Sequence, residues 1–315
     1  LPASGALLIA IIWLESATGP IEFARVADLR LLDDTSLRII FALFVAGLGV
    51  KAALVPLHGW LPSAMAAPAP VSALLHAVAV VKAGAFGFVR IIYDVFGIAL
   101  VAELGVGLPL AILASVTIIF GSLRALQQTE IKKRLAYSTV SQVSYIVLGA
   151  ALAGPFAVIG GLAHLVHQGL MKITLFFCAG IFDERAGIKR IADLNGVGAR
   201  MPVTSVCFSL GALGMIGLPP LAGFVSKIYI GIGGIQSGAP WVIGVLAAST
   251  LLNAAYFLPL LYRLWYLPPA HDARGDEGKP GLIVPAVLTA AASLGVGLLA
   301  AAPFSPLGWA RLIVT

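Results

Sequence analysis

Nine apolar runs follow one another along this chain, all but one of them 20 or more residues long, and a membrane-spanning helix needs about 20. They are Pro2–Thr18, Ser36–Leu57, Pro70–Tyr93, Ile98–Leu123, Leu135–Gly154, Pro155–Phe182, Pro202–Ile235, Pro240–Leu267 and Pro280–Pro303. In hydrocarbon every backbone N–H and C=O must be paired internally, so such runs fold as helices. The expected fold is therefore an all-α integral membrane bundle of about nine spans. Composition agrees: 60% of residues are hydrophobic and 11% charged, against about a quarter charged in a soluble domain. A water-soluble globule is excluded. The formal net charge of +6 is no sign of a nucleic-acid partner, because in a membrane chain the placement of basic residues matters more than their sum.

Two runs carry internal breakers. Pro56 and Pro62 interrupt the exit of the second, with His58 between them, and Pro219, Pro220 and Gly223 cut the seventh in its middle. Proline removes a donor and clashes with the preceding turn. Broken backbone at membrane depth survives only against protein or a wet cavity, and such helices line ion and substrate paths in transporters. The loops give the orientation. Basic residues cluster in Arg124–Arg134, in Phe182–Met201 and in Arg263–Lys279, whereas the opposite side holds Arg25, Arg30, Arg38, Arg90 and Arg311. The positive-inside rule puts the loops at 124–134, 182–201 and 263–280 in the cytoplasm of a cell inner (plasma) membrane protein.

Four lysines remain, all inside apolar runs: Lys51, Lys82, Lys172 and Lys227. A cation at mid-bilayer costs about 2.5–3.5 kcal/mol on insertion scales. Lys51 follows the unbroken run Ile39–Val50, so snorkelling to the interface is not expected to rescue it. Burial favours the neutral form of an amine. Lysine, unlike arginine, can release its proton inside a protein, so a row of buried lysines joined by water can carry protons. Histidines accompany them: His58 after the first break, His76 in the Lys82 run, and His164 and His167 ahead of Lys172. His164 and His167 are three apart and share a helix face. His76 and Lys82 are six apart and need a neighbouring helix or water between them. An imidazole donates and accepts in turn near neutral pH. His271, in a charged loop, is expected to be solvated.

Acidic residues lie almost entirely in loops and near run ends, Glu15 near the end of the first run among them. No paired catalytic carboxylates, nucleophile elbow, phosphate loop or HExxH pattern occurs, and no cofactor or metal is expected. Cys178 and Cys207 lie in apolar runs and read as small buried hydrophobes. Gly47, Gly160, Gly161, Gly211 and Gly214 read as close-packing points between helices. Ser72, Thr139, Ser141 and Asn253 read as helix–helix hydrogen-bonding groups.

The segment Lys51–Arg90, KAALVPLHGWLPSAMAAPAPVSALLHAVAVVKAGAFGFVR, closely resembles the core signature of the antiporter-like, proton-conducting membrane subunits. That family includes large membrane-arm subunits of respiratory complex I, subunits of membrane-bound hydrogenases, and large subunits of Mrp-type cation/proton antiporters. QQTEIKKRLAYSTVSQVSY at 127–145, HLVHQGLMKITLFFCAG at 164–180 and GLPPLAGFVSK at 217–227 resemble further family blocks, in order. The resemblance implies proton transport by a multisubunit membrane complex, with other membrane subunits as partners and protons and Na+ as candidate ions. It implies that Lys51 is the lysine of the first broken helix and that His76 and Lys82 form the relay in the next. Lys172, with His164 and His167, becomes the central connection, and Lys227 the terminal group of the second broken helix.

The family carries two inverted five-helix repeats within about fourteen spans. The nine runs correspond to the sixth to fourteenth, so about five N-terminal spans are expected to be absent from this sequence. The resemblance then divides the chain into residues 1–93, the end of the first repeat, 94–267, the second repeat, and 268–315, a loop and last helix. Full members have a glutamate opposite the lysine matched by Lys51; nothing here matches it. Lysine at 227 and the short stretch after the last run resemble the D-type large subunit of Mrp antiporters. A complex I or membrane-bound hydrogenase subunit is the alternative branch, and a non-conducting assembly element the other.

Overall fold

The computed structural model describes residues 2–19, 29–269 and 276–314. The loop residues Arg25, Arg274 and His271 lie outside them. Fifteen α-helices follow in order among the described residues, which contain no β-strand: α1 (Pro2–Thr18), α2 (Asp34–Lys51), α3 (Trp60–Ser63), α4 (Ala69–Ala73), α5 (Val80–Arg90), α6 (Ile98–Leu104), α7 (Gly107–Leu126), α8 (Ile131–Ala151), α9 (Pro155–Ala186), α10 (Val197–Arg200), α11 (Pro202–Ile216), α12 (Ala222–Gln236), α13 (Trp241–Tyr266), α14 (Pro280–Leu298) and α15 (Pro306–Val314).

Five helical stretches among the described residues are long and apolar enough to cross a bilayer: Ala69–Phe96, Gly107–Leu126, Pro155–Ala186, Trp241–Tyr266 and Pro280–Leu298. The expected count of nine is not reproduced on that measure, for identifiable reasons. Helices α1 and α11 are apolar but shorter. Asp34, Arg38 and Lys51 charge α2. Polar residues fill the middle of α8, which is nonetheless buried almost throughout from Arg134 to Ala151. A helix enclosed on all sides is shielded from lipid by its neighbours and can carry side chains that a lipid-facing helix cannot.

The fourth run is two helices rather than one. Gly105, in the left-handed region at φ 69°, ends α6, and α7 begins afresh at Gly107. The third run is irregular at a place that no proline or glycine marks. Between α4 and α5 the chain passes through a π-helical turn, Leu74–Val78, with Ala79 N–H donating to the carbonyl five residues back, Leu74, at 3.0 Å. A second wide turn, Ile91–Phe96, closes the stretch.

Helix α9, 32 residues long, would measure about 48 Å at 1.5 Å per residue and is the axis of the molecule. It packs against α4, α8, α11, α12, α14 and α15. Small residues allow this approach. A Cβ on Gly160 would stand 2.7 Å from Ile230 N of α12, and one on Gly214 2.6 Å from Met171 Sδ of α9. Gly47, Gly161 and Gly211 likewise face α1, α8 and α9 closely, so all five glycines serve as helix contacts. Cys178 and Cys207 are buried and unpaired by disulfide.

Candidate functional site: buried lysines on backbone carbonyls

The first break follows α2. The helix stops at Lys51; Ala53 takes a left-handed conformation at φ 55° and Pro56 follows. The freed groups find protein partners. Trp60 Nε1 and Ala53 N–H both donate to Val50 O, at 2.7 and 3.1 Å, and Val55 N–H donates to Thr117 Oγ1 of α7 at 3.2 Å. His58 is half-buried in this turn, edge-on to Phe120 with ring centres 4.9 Å apart. Lys51 corrects an expectation. It is the last residue of α2 and its side chain is exposed on this chain rather than buried in a span. The cause is the early helix stop, which sets Lys51 at an end instead of at mid-helix. Its backbone is nevertheless packed, because α5 rests on it: a Cβ on Gly84 would lie 2.7 Å from Lys51 C and would overlap Ala52 N.

The second break is built by subtraction of donors. Pro219 and Pro220 have no N–H, so the carbonyls four residues earlier, Met215 and Ile216, lose their helical partners. Lys227 takes both: Nζ donates to Ile216 O at 2.8 Å and to Met215 O at 3.2 Å, with Thr250 Oγ1 at 3.4 Å. Asn253 Nδ2 also donates to Met215 O, at 3.1 Å. Gly217 turns the chain at φ 90° and leaves room for the ammonium, since a Cβ there would be 3.1 Å from Nζ. Gly223 lets α12 lie on α11; a Cβ there would overlap Gly214 O. The ammonium also lies 5.5 Å from the centre of the Tyr145 ring, a cation–π distance.

The two remaining lysines are buried on backbone as well. Lys82 donates to Leu165 O of α9, and Gly169 makes the space for it. Lys172, fully buried, donates to Leu135 O of α8 at 2.9 Å and to Ser138 Oγ. Among the described residues no Asp or Glu is buried. These ammoniums are therefore held by carbonyl and hydroxyl dipoles and by no buried counter-charge. That fixes their places while leaving the net charge of the path free to change.

His76, His164 and His167 lie between them, all fully buried. His164 Nδ1 is 2.7 Å from Ser226 Oγ, next to Lys227, and its ring centre is 5.2 Å from that of Tyr145. It is close enough to Lys227, His167 and Lys82 to feel their charge. His76 stands 5.2 Å from the Phe176 ring and within electrostatic reach of Lys172; as expected, no hydrogen bond joins it to Lys82. Lys82, His76, Lys172, His164, His167 and Lys227 thus form one neighbourhood around α9. Lys51 lies apart on the surface of α2, and Pro56, His58, Pro219, Pro220 and Gly223 sit at the two breaks.

Sequence reading missed Ser138, Gln142, Tyr145 and Gln168 as members of this neighbourhood. The signal was present: α8 places Ser138, Thr139, Ser141, Gln142 and Ser144 inside an otherwise apolar run. Of the hydroxyls and the amide expected to bridge helices, Ser141 does so with Ser122 of α7 at 2.9 Å, and Asn253 with α11. Ser72 and Thr139 instead bond locally, to Ala67 O and Leu135 O, because a short hydroxyl reaches a nearby backbone carbonyl more easily than a neighbouring helix.

Residues 1–253 match the family model described as NADH:quinone oxidoreductase/Mrp antiporter, transmembrane. The chain belongs to this antiporter-like family. It is an integral membrane protein. NADH-quinone oxidoreductase subunit N of Desulforudis audaxviator is 39% identical over 281 residues, which are 87% of this chain and 55% of that protein. A chain of the Mrp complex from Dietzia sp. DQ12-45-1b superposes with TM-score 0.86 at 25% identity, covering 99% of this chain and 66% of that one. A chain of the membrane-bound sulfane sulfur reductase, an archaeal respiratory membrane complex, gives 0.86 at 27%, covering 99% and 63%. The chain therefore spans about half the length of the curated relatives it matches.

Proposed function

We propose that this family member conducts protons through the neighbourhood of Lys82, His76, Lys172, His164, His167 and Lys227, as one subunit of a larger membrane complex. The observation that carries the reading is the burial of three lysines with no buried acid among the described residues. Each is anchored to helix carbonyls, with imidazoles between them. A structural lysine gains most from a paired carboxylate. A lysine held by dipoles alone keeps both its charged and its neutral form within reach, which proton transfer requires. Lys51, exposed at the end of α2, is the site where the path would accept charge from outside this chain. The basic loops at 124–134, 182–201 and 263–280 support a cytoplasmic side for the Lys172 end of α9, in a plasma membrane.

Two drivers are open to such a subunit. The 39% identity to a protein named NADH-quinone oxidoreductase subunit N favours a redox-driven complex over the D-type Mrp branch suggested by lysine at 227. The Mrp alternative keeps one supporting observation, the TM-score of 0.86 to a chain of the Dietzia Mrp complex. The experiment is proton flux in vesicles holding the native complex, with Lys172→Met and Lys227→Met variants beside it. Both are expected to assemble and to abolish flux; full flux in either refutes the relay. Iron and flavin in the purified complex separate the drivers, since an Mrp-type antiporter carries neither.

A further inference from the structure

The first turns of α4, α8 and α14 meet the last turns of α9 and leave two adjoining hollows between them. The larger, of about 440 Å³, lies among α4, α9 and α14, with Phe177, Ile181 and Leu282 in its apolar wall. The smaller, of about 360 Å³, reaches α8 and carries Glu130 and Lys189. Pro68, Lys132 and Asp183 line both, so the apolar hollow adjoins the polar one. Both have the size of small-molecule sites, about 300–1,000 Å³. At this level each helix passes between apolar and charged sequence. Phe177 and Ile181 give way to Asp183 and Glu184 on α9, Lys132 precedes Leu135 on α8, and Lys279 precedes Leu282 on α14. In a membrane protein that change marks the boundary between hydrocarbon and headgroups.

The charges at this mouth are not closed on one another. Asp183 stands 3.6 Å from Lys132 Nζ and 3.7 Å from Lys189 Nζ, beyond the span of a hydrogen bond, about 2.7–3.2 Å. Lys133 and Glu130, by contrast, meet at 2.8 Å. Lys132 and Lys189 therefore keep donors, and the Asp183 carboxylate keeps lone pairs, for a third group. Glu184, exposed, lines the same mouth. Two ammoniums and two carboxylates beside an apolar wall complement a lipid whose headgroup carries both signs. A purely anionic headgroup would face the two carboxylates, and a choline headgroup has no N–H to give them. We propose that the two hollows form one binding site for a phospholipid of the phosphatidylethanolamine type. Its phosphate accepts charge-assisted bonds from Lys132 and Lys189, and its ammonium donates to Asp183 and Glu184. One acyl chain runs along Phe177, Ile181 and Leu282. Lys132 can lay its stem on the apolar wall and keep its head at the surface. The size of the hollow favours a chain over a partner helix: two turns of a helix about 10 Å across fill about 850 Å³, more than the apolar hollow holds.

The site is independent of the proton path, and its test reads lipid identity rather than flux. The native complex is reconstituted into vesicles of equal parts phosphatidylethanolamine, phosphatidylglycerol and phosphatidylcholine, with a photo-reactive amino acid in place of Leu282. A second preparation carries it in place of Leu288, on the exposed face of α14. After irradiation, the intact mass of the subunit reports what was captured. Position 282 is expected to capture phosphatidylethanolamine severalfold over the other two lipids, and position 288 to capture all three in bilayer proportion. Lys132→Gln combined with Asp183→Asn is expected to return position 282 to bilayer proportion, with assembly unchanged. Should that double variant not assemble, Lys189→Gln, at an exposed position, repeats the measurement and is expected to weaken the preference. Bilayer proportion at position 282 in the otherwise unaltered complex, an excess there of phosphatidylglycerol or phosphatidylcholine, or a cross-link to a polypeptide overturns the proposal. An undiminished preference in the variant that assembles overturns the assignment of the headgroup to these side chains.

Discussion

Lys227 and Asn253 meet on one carbonyl oxygen, that of Met215, with Nζ at 3.2 Å and Nδ2 at 3.1 Å. Neither would have a place there in an unbroken helix, because the residue at 219 would donate its own N–H to that oxygen. Pro219 vacates the position and two side chains from other helices fill it. Asn253 in turn accepts from Tyr256 OH at 2.6 Å, so the break in α11 is tied to the middle of α13.

Asn253→Leu tests that tie. It removes one donor from Met215 O and leaves Tyr256 OH, fully buried, without its acceptor. An unsatisfied buried group costs about 1–3 kcal/mol. The complex is expected to melt several degrees lower, and proton flux to fall because Lys227 must satisfy Met215 alone. Unchanged melting and flux would mean that Asn253 is incidental to the break.

How much of this was legible beforehand divides along physical lines. The breaks were visible because proline acts locally: Pro56 and Pro219–Pro220 remove donors wherever they stand. The burial of Lys82, Lys172 and Lys227 was visible because a charge in a long apolar run has few alternatives. The exposure of Lys51 was not, since it depends on where α2 stops and on what covers α2. The π-helical turn holding His76 was also hidden. Nothing in LLHAV distinguishes a wide turn from an ordinary one, and the choice is made by packing against α9. Gln142 and Gln168 escaped notice because only the register of α8 against α9 brings them between Lys172 and His164.

Arg134 supplies a prediction about stability. It is buried and donates to Tyr256 O at 2.9 Å, Gln128 O at 2.7 Å and Leu126 O at 3.2 Å. One guanidinium thus caps the end of α7 and fastens it to α13 from the first turn of α8. Arg134→Met leaves those carbonyls to compete for fewer donors, at about 1.5–3 kcal/mol for each charged hydrogen bond lost. Arg134→Lys is expected to rescue little, because a single ammonium cannot span three oxygens in a planar fork. Subunit yield in the purified complex, with its melting temperature, checks both; full rescue by lysine would contradict the geometry.

The loop before α14 has a pH dependence whose sign can be fixed. Asp276 accepts a 2.9 Å hydrogen bond from Arg185 Nε at the end of α9. That bond first, and the guanidinium charge with it, hold the carboxyl below its ordinary value against a smaller desolvation effect. A carboxylate depressed in the folded state contributes its contact above the unfolded pKa, about 3.9, and loses it as pH falls further. The neighbouring Glu277 caps α11 by accepting from Thr204 Oγ1 at 2.7 Å and from the Thr204 amide at 3.3 Å. Deuterium uptake over residues 276–282, corrected for intrinsic exchange, is expected to be flat from about pH 6 to 8 and to rise below about pH 4. Asp276→Asn should show the raised uptake already at neutral pH. A variant as protected as the wild type at neutral pH would show that the ion pair does not hold the loop.

Gly169 offers the sharpest test of how Lys82 is held. A Cβ at this position would overlap Lys82 Nζ and stand 3.3 Å from Ala77 O. The closest atom is the tip of a flexible side chain, so Gly169→Ala is expected to fold and assemble while pushing the ammonium off Leu165 O. Alanine also raises helix propensity relative to glycine by about 1 kcal/mol, so any loss of function cannot be ascribed to a weakened α9. Proton flux is expected to drop severalfold with assembly and melting unchanged or improved. Gly169→Ser should drop less, because its hydroxyl can accept from the displaced ammonium. Equal flux in wild type and Gly169→Ala would mean that the position of Lys82 on the α9 backbone does not matter to transfer. The path would then have to leave Lys82 by another side, toward Lys51 and the exposed face of α2.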